Sequence, residues 1–135
     1  MTKHHFHKSE RLKSRKTLGI LFTEGNSFSA YPLRVHYLYK KDGREEKNAP
    51  VQFTVSVSKK KFPKAVDRNR IKRQVREAYR LHKAVLLEKL NADNKQPHQY
   101  LAILMNYMPD KKIDFSKIEK GVHKGIQRLL VEIDK

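Results

Sequence analysis

Arg68-Asn69-Arg70-Ile71-Lys72-Arg73-Gln74-Val75-Arg76-Glu77-Ala78-Tyr79-Arg80 carries two patterns at once. Wound as an α-helix at about 100° per residue, Asp67 to Leu90 brings Ile71, Val75, Ala78, Tyr79, His82, Val85 and Leu86 onto one stripe. That stripe has the width of a face packed on a core. Asn69, Lys72, Arg73, Arg76, Arg80 and Lys83 gather on another flank, with Arg68 beside the apolar edge and Arg70 on the far side. Between Lys59 and Lys83, eleven basic residues stand against two acidic ones, Asp67 and Glu77. A solvated helix interleaves signs to gain pairs one turn apart, and here only Glu77 is available. One side of this helix must therefore be buried, and the other repels itself until something anionic covers it. Arginine predominates, and its planar fork suits bidentate phosphate contact, so a polyanion-binding face is expected.

Outward from the helix, period-2 alternation takes over. Val51, Phe53, Val55 and Val57 face one way and Gln52, Thr54, Ser56 and Ser58 the other, which predicts a strand with one dry and one polar face. Leu33 to Lys40 repeats the pattern, with Leu33, Val35, Tyr37 and Tyr39 inward and Arg34, His36, Leu38 and Lys40 outward. Asn26 to Ala30 reads as a short strand, Lys41 to Pro50 as a polar hairpin loop, and Gln99 to Tyr107 as a buried strand ended by Pro109. Lys59 to Asp67 leads into the basic helix with Asp67 as its candidate N-cap, and the helix is expected to run on to about Asn91. Ala92 to His98 is expected to be a loop.

Two further helices are expected. Ser14 is a candidate N-cap for the first, Leu18 and Phe22 share one face at i,i+4 with a core role, and Gly25 stops it. The last runs from about Asp114 to Ile133, with Ile118, Val122, Ile126, Leu129, Leu130 and Ile133 at core spacing. Gly121 and Gly125 within it signal either close packing on a neighbour or a weaker helix. The succession of helix, strands, helix, strand and helix predicts an α+β sandwich of one sheet and its helices.

The chain has 135 residues, enough for one domain with a modest core. Its 31 Lys and Arg against 14 Asp and Glu give a net charge of +17. Such a field favours nucleic acid or an anionic membrane and strains the isolated fold by self-repulsion. Residues 1–10 are expected to be a basic mobile arm and residues 11–135 a single domain; no metal site is expected at His4, His5 and His7. The absence of cysteine excludes disulfides and thiolate metal sites. With no signal-like apolar segment and no stretch long enough to span a bilayer, the expected location is the cytoplasm, with no membrane partner.

Little in the chain points to chemistry of its own. A two-metal nuclease clusters carboxylates, whereas Asp42, Glu45, Glu46, Asp110 and Asp114 are scattered. No nucleophile elbow or phosphate-cradling glycine loop is present. His36 and His82 are of the right type for general bases, but the place of His82 among Val75, Ala78 and Val85 predicts a structural role. The expectation is a binding surface with no catalytic residue and no metal ligand.

Ser58-Lys59-Lys60, Ala65-Val66, Arg68-Asn69-Arg70, Lys72-Arg73, Arg76-Glu77 and Arg80 together resemble the signature of the bacterial ribonuclease P protein family. Its members are subunits of a ribonucleoprotein that removes the 5′ leader from precursor tRNA. The resemblance extends through Arg11-Leu12, Phe22 to Gly25 and Tyr100 to Met105. It implies a ribosomal-protein-S5-like sandwich: a mixed four-stranded sheet, the order α-β-β-β-α-β-α, and a left-handed βαβ crossover where pattern alone predicts a right-handed one. It implies that the RNA subunit is the catalyst and holds the Mg2+ ions, the protein being an accessory subunit of an endoribonuclease. Such a subunit has no cofactor of its own and no required protein partner.

The same resemblance implies two surfaces. Arg68, Asn69, Arg70, Lys72, Arg73, Arg76 and Arg80 would lie against ribonuclease P RNA. A cleft of Leu18, Phe22, His36, Ser56, Lys59, Lys60 and Lys61 would take the single-stranded leader of precursor tRNA. Aromatic groups stacking bases and cations following phosphates is ordinary single-strand chemistry. Two features depart from the family. Leu18 and His36 stand where aromatic residues are usual, and Lys61-Phe62-Pro63-Lys64 replaces a shorter glycine-containing connection. The longer connection leaves open which of the three lysines meets leader and which meets RNA subunit, and whether Phe62 stacks or packs. A ribosomal or RNA-chaperone protein would share the charge and fold without assisting cleavage. A DNA-binding helix is a poorer match, since its basic face has few Asn or Gln to read base edges.

Overall fold

Alternating side chains set the sheet. In the computed structural model, which describes residues 8–42, 49–92 and 99–134, four strands form a single sheet. They are β1 (Asn26–Ala30), β2 (Leu33–Lys40), β3 (Val51–Val57) and β4 (Tyr100–Tyr107), in the order β1-β2-β4-β3. β2 pairs antiparallel with β1 and β4, while β3 lies parallel to β4. A parallel neighbour requires a crossover, supplied by α2 (Ala65–His82) and α3 (Ala84–Ala92). A 3-10 helix, Lys8–Glu10, and α1 (Arg15–Glu24) precede the sheet, and α4 (Phe115–Glu132) ends the chain. The expected α+β fold with a mixed four-stranded sheet is what forms, with the helix between β3 and β4 divided in two.

The main core lies on one face of the sheet, where Val35, Phe53, Val55, Ile103 and Met105 meet α2 and α4. Ile71, Val75, Ala78 and Tyr79 are the buried stripe of α2, and the rings of Tyr79 and Phe53 stack with centroids 3.9 Å apart. From α4 come Ile118, Val122, Ile126 and Leu129. Burying each such side chain contributes about 1.5–3 kcal/mol. Gly121 answers to close packing: a Cβ there would lie 2.5 Å from Pro32 Cδ and 2.6 Å from the Tyr31 carbonyl oxygen. A smaller cluster on the opposite face joins Leu12 and Leu21 to Tyr100, Ala102 and Leu104. At the end of α1, Gly25 lets Leu21 O and Tyr37 O crowd a backbone where a Cβ would be 2.3 Å and 2.7 Å away.

Several expectations change, each for a physical reason. Lys83 does not belong to the exposed basic flank; it is 1% exposed, at the junction of α2 and α3, because Glu10 lies 2.7 Å from its Nζ. Lys8–Glu10, expected in the mobile arm, is accordingly a 3-10 helix held to the domain, whereas residues 1–7, with the histidine cluster, lie outside the described residues. The N-cap of α2 is Lys64 rather than Asp67, which sits in the first turn and takes an ion pair from Lys112 at 2.8 Å. Gln52 is buried despite its outward register, because the N-terminal segment and Tyr100 cover it: its Nε2 donates to Ser9 O and its Oε1 accepts from Tyr100 Oη. Val85 is exposed although on the apolar stripe, and Leu21, not Phe22, is the buried residue of α1. Most of the expected loops at 41–50 and 92–98 lie outside the described residues.

Candidate nucleic-acid interface

The burial of Ile71, Val75, Ala78 and Tyr79 fixes what the rest of α2 presents. Asn69, Arg70, Arg73 and Arg76 are exposed and Lys72 is half-buried. Among the described residues, Arg70, Lys72 and Arg73 make no salt bridge. Arg68 and Arg80 are differently placed. The Arg68 guanidinium donates to the carbonyls of Phe62 and Pro63, both at 2.8 Å, and so braces the entry to α2. Arg80 is held by Glu77 through two contacts, at 2.5 and 3.1 Å. That pair raises the pKa of Arg80 and lowers that of Glu77, chiefly through the hydrogen bond. On the predicted cationic face Lys72, Arg73 and Arg76 thus stand outside any salt bridge among the described residues. Arg70, also without one, lies in the field of Asp67, whose pKa is lowered first by Lys112 and in smaller part by Arg70.

The second surface is the sheet face under α1. Register places Ser27, His36, Leu104 and Thr54 in one row across β1, β2, β4 and β3, and Ser29, Arg34, Asn106 and Ser56 in the next. Ser14 caps α1 by accepting from Thr17 N at 3.2 Å. The helix carries Phe22 to His36, with ring centroids 5.3 Å apart in an edge-on arrangement, and leaves Phe22 60% exposed. Leu18 packs instead toward the Leu12, Leu21 and Tyr100 cluster. Partial burial first, and the charge of Arg34 second, hold the His36 pKa below its usual value.

Of the predicted cleft residues, Phe22 and His36 are brought into contact. Ser56 lies two strands from His36 and donates to Asn106 Oδ1 at 2.9 Å. Lys59 and Lys60 are exposed in the turn after β3, while Lys61 Nζ donates to the Met108 carbonyl at 2.5 Å. Phe62 is buried and packs on Tyr107, with centroids 5.9 Å apart, so its role is packing. His82 is structural too: it faces α4, with Nε2 3.7 Å from Glu119 Oε2 and its ring 5.1 Å from that of His123.

The alternation of β2 and β4 puts two further residues, Arg34 and Asn106, on this face, beyond those the sequence predicts for the cleft. Arg34 donates to Ser27 and Ser29 Oγ, each at 2.9 Å, and is held flat over the sheet edge. Asn106 links Ser56 to the Met108 sulfur. No group of three His, Asp or Glu side chains comes together as a metal ligand set among the described residues. Nor is any helix among them long and apolar enough to cross a membrane.

Fold and surfaces define a class: a small basic α+β protein that turns a cationic helix outward on one side and, on the other, a sheet face under α1 that carries polar side chains and the Phe22–His36 ring pair. Residues 6–130 match the model of the Ribonuclease P family. The chain is 41% identical over 122 residues to the ribonuclease P protein component of Porphyromonas gingivalis, covering 90% of this chain and 84% of that one. It is 32% identical over 125 residues to that of Chlorobaculum tepidum, covering 91% and 81%. Among solved structures, the ribonuclease P protein of Thermotoga maritima superposes with a TM-score of 0.63 at 23% identity, covering 88% of this chain and 96% of that one. This chain belongs to the Ribonuclease P family, and its relatives are protein components of that enzyme.

Proposed function

We propose that the chain binds ribonuclease P RNA through the solvent face of α2 and receives the 5′ leader of precursor tRNA in the cleft between α1 and the sheet. In this reading the protein assists endonucleolytic removal of the leader while the RNA subunit performs the cleavage and holds the Mg2+ ions. The observation that carries it is the cationic face of α2. Arg70, Lys72 and Arg73 make no salt bridge among the described residues, on a helix whose other side is locked into the core. Like charges so arranged are stabilised by a dense polyanion and by release of its counterions. On the cleft side, Phe22 offers a stacking surface beside His36, with the hydroxyl of Ser56 and the amide of Asn106 further along. Lys59 and Lys60 are free to follow the backbone of a single strand.

The test is reconstitution with ribonuclease P RNA and a precursor tRNA at low magnesium. Restored leader cleavage supports the reading. Binding of many RNAs with no gain in cleavage would instead indicate a general RNA-binding protein.

A further inference from the structure

On the sheet face beneath α1, one cation is fastened in place. Arg34 of β2 is half-buried, and its guanidinium is tied at both terminal nitrogens: Nη1 donates to Ser29 Oγ and Nη2 to Ser27 Oγ, each at 2.9 Å. Both serines belong to β1, an edge strand that pairs only with β2. The opposite edge of the sheet is closed, since Arg11 bridges Phe53 and Leu12 N donates to Phe53 O at 3.0 Å. The remaining N–H groups of Arg34, one on each terminal nitrogen and that of Nε, meet no acceptor among the described residues. Its neighbours across the row, Ser29, Asn106 and Ser56, are uncharged, and in the next row His36 lies beside the exposed ring of Phe22. A guanidinium held at two points has little freedom left to lose on binding, so its free donors are aimed before any ligand arrives.

We propose that Arg34 is a specificity-determining residue that reads a guanine of the single-stranded leader, donating to O6 and N7 of one base. This rests on the reading that the cleft receives the leader, and names the base it prefers. Guanine presents two acceptors side by side on one edge, the commonest specific match for an arginine fork. Adenine and cytosine set an amino donor against the fork, and uracil offers a single acceptor. In a single strand the bases are splayed out and these edges are open to side chains. A purine stacked on Phe22 turns that edge toward Arg34, which lies about 7 Å from His36 along β2. A backbone phosphate would satisfy the same fork, but the exposed Lys59 and Lys60 serve a phosphate without any fastening. Two hydroxyls holding one guanidinium matter where the direction of its donors matters, and direction is what distinguishes one base edge from another.

Precursor tRNAs whose leader bases are changed one position at a time are bound to the complex of the full-length chain with ribonuclease P RNA. The complex is made with the wild type, Arg34→Met, Arg34→Lys and the double change Ser27→Ala, Ser29→Ala. Expected is one leader position at which guanine binds at least about five-fold tighter than adenine or cytosine. There 7-deazaguanine, which lacks the N7 acceptor, should lose most of that advantage on the wild-type complex, a result that does not depend on how any variant folds. Arg34→Met and Arg34→Lys should both flatten the preference, since lysine keeps the charge but not the fork. The serine change keeps the guanidinium but frees it, and should weaken the preference without abolishing it. A wild-type complex with no guanine preference, or a preference that survives Arg34→Met, would overturn the proposal. So would a loss in Arg34→Met that is equal for all four bases, which marks a phosphate contact. A wild-type complex that bound precursor and mature tRNA alike would overturn the underlying leader reading, and the proposal with it.

Discussion

Lys83 Nζ lies 2.7 Å from Glu10 Oε1, and both side chains are buried. This contact ties the start of the described chain to the junction between α2 and α3. It also fixes the path of Arg11 and Leu12 along β3. Removing one partner of a buried ion pair strands the other without solvent. Glu10→Ala should therefore destabilise the fold by about 3–5 kcal/mol, and the double change Glu10→Met, Lys83→Met by less than the single one. Urea unfolding at neutral pH measures these together with Glu10→Met and Lys83→Met alone; a double-variant loss equal to the sum of those two single losses would show that the pair is not coupled.

Alanine at position 121 should destabilise the protein even though alanine favours helix by about 1 kcal/mol over glycine. Its Cβ would press on the backbone and ring of the Tyr31-Pro32 turn, and overpacking of this kind costs about 1–3 kcal/mol. A thermal melt at or above that of the wild type would contradict the close approach of α4 to the sheet.

The depressed pKa of His36 has a defined sign. Above the unfolded-state value of 6.5, both states carry the neutral ring and its contribution to stability is complete. As pH falls from there through the lower folded value, the unfolded chain takes up the proton first and the contribution is lost. NMR titration should give His36 a midpoint below 6.5, moved only partly back by Arg34→Ala because burial is the larger cause. A midpoint at or above 6.5 would contradict the partial burial beneath Phe22.

Phe22→Ala removes an exposed ring, so stability should change little. If the ring stacks a leader base, affinity of the assembled complex for precursor tRNA should fall by about 1–3 kcal/mol, with affinity for mature tRNA unchanged. Equal losses on both substrates would remove Phe22 from the leader cleft.

The strands and the buried stripe of α2 were legible because alternation and helical periodicity respond to burial alone. What escaped depended on contacts between distant segments. Nothing local distinguishes Lys83 from its cationic neighbours until Glu10, more than seventy positions earlier, is brought beside it. Gln52 reads as outward for the same reason, since its cover comes from Ser9 and Tyr100. Asp67 looked like a cap because aspartate usually is one at that place, but Lys112 from the loop before α4 claims it. Arg34 was on the right face by register. That Ser27 and Ser29 hold its guanidinium depends on the pairing of β1 with β2. The strand order, with β4 inserted between β2 and β3, is likewise a long-range fact that no pattern in the strands encodes.

The most direct measurement is the salt dependence of binding to ribonuclease P RNA, comparing the wild type with Arg70→Ala, Arg73→Ala. These two arginines have no ion-pair partner among the described residues and no part in the core, so the variant should fold with unchanged stability. Expected is weaker binding with a salt slope reduced by about one to two. A variant that binds this RNA with wild-type affinity and slope would contradict the claim that the exposed face of α2 is built to meet it.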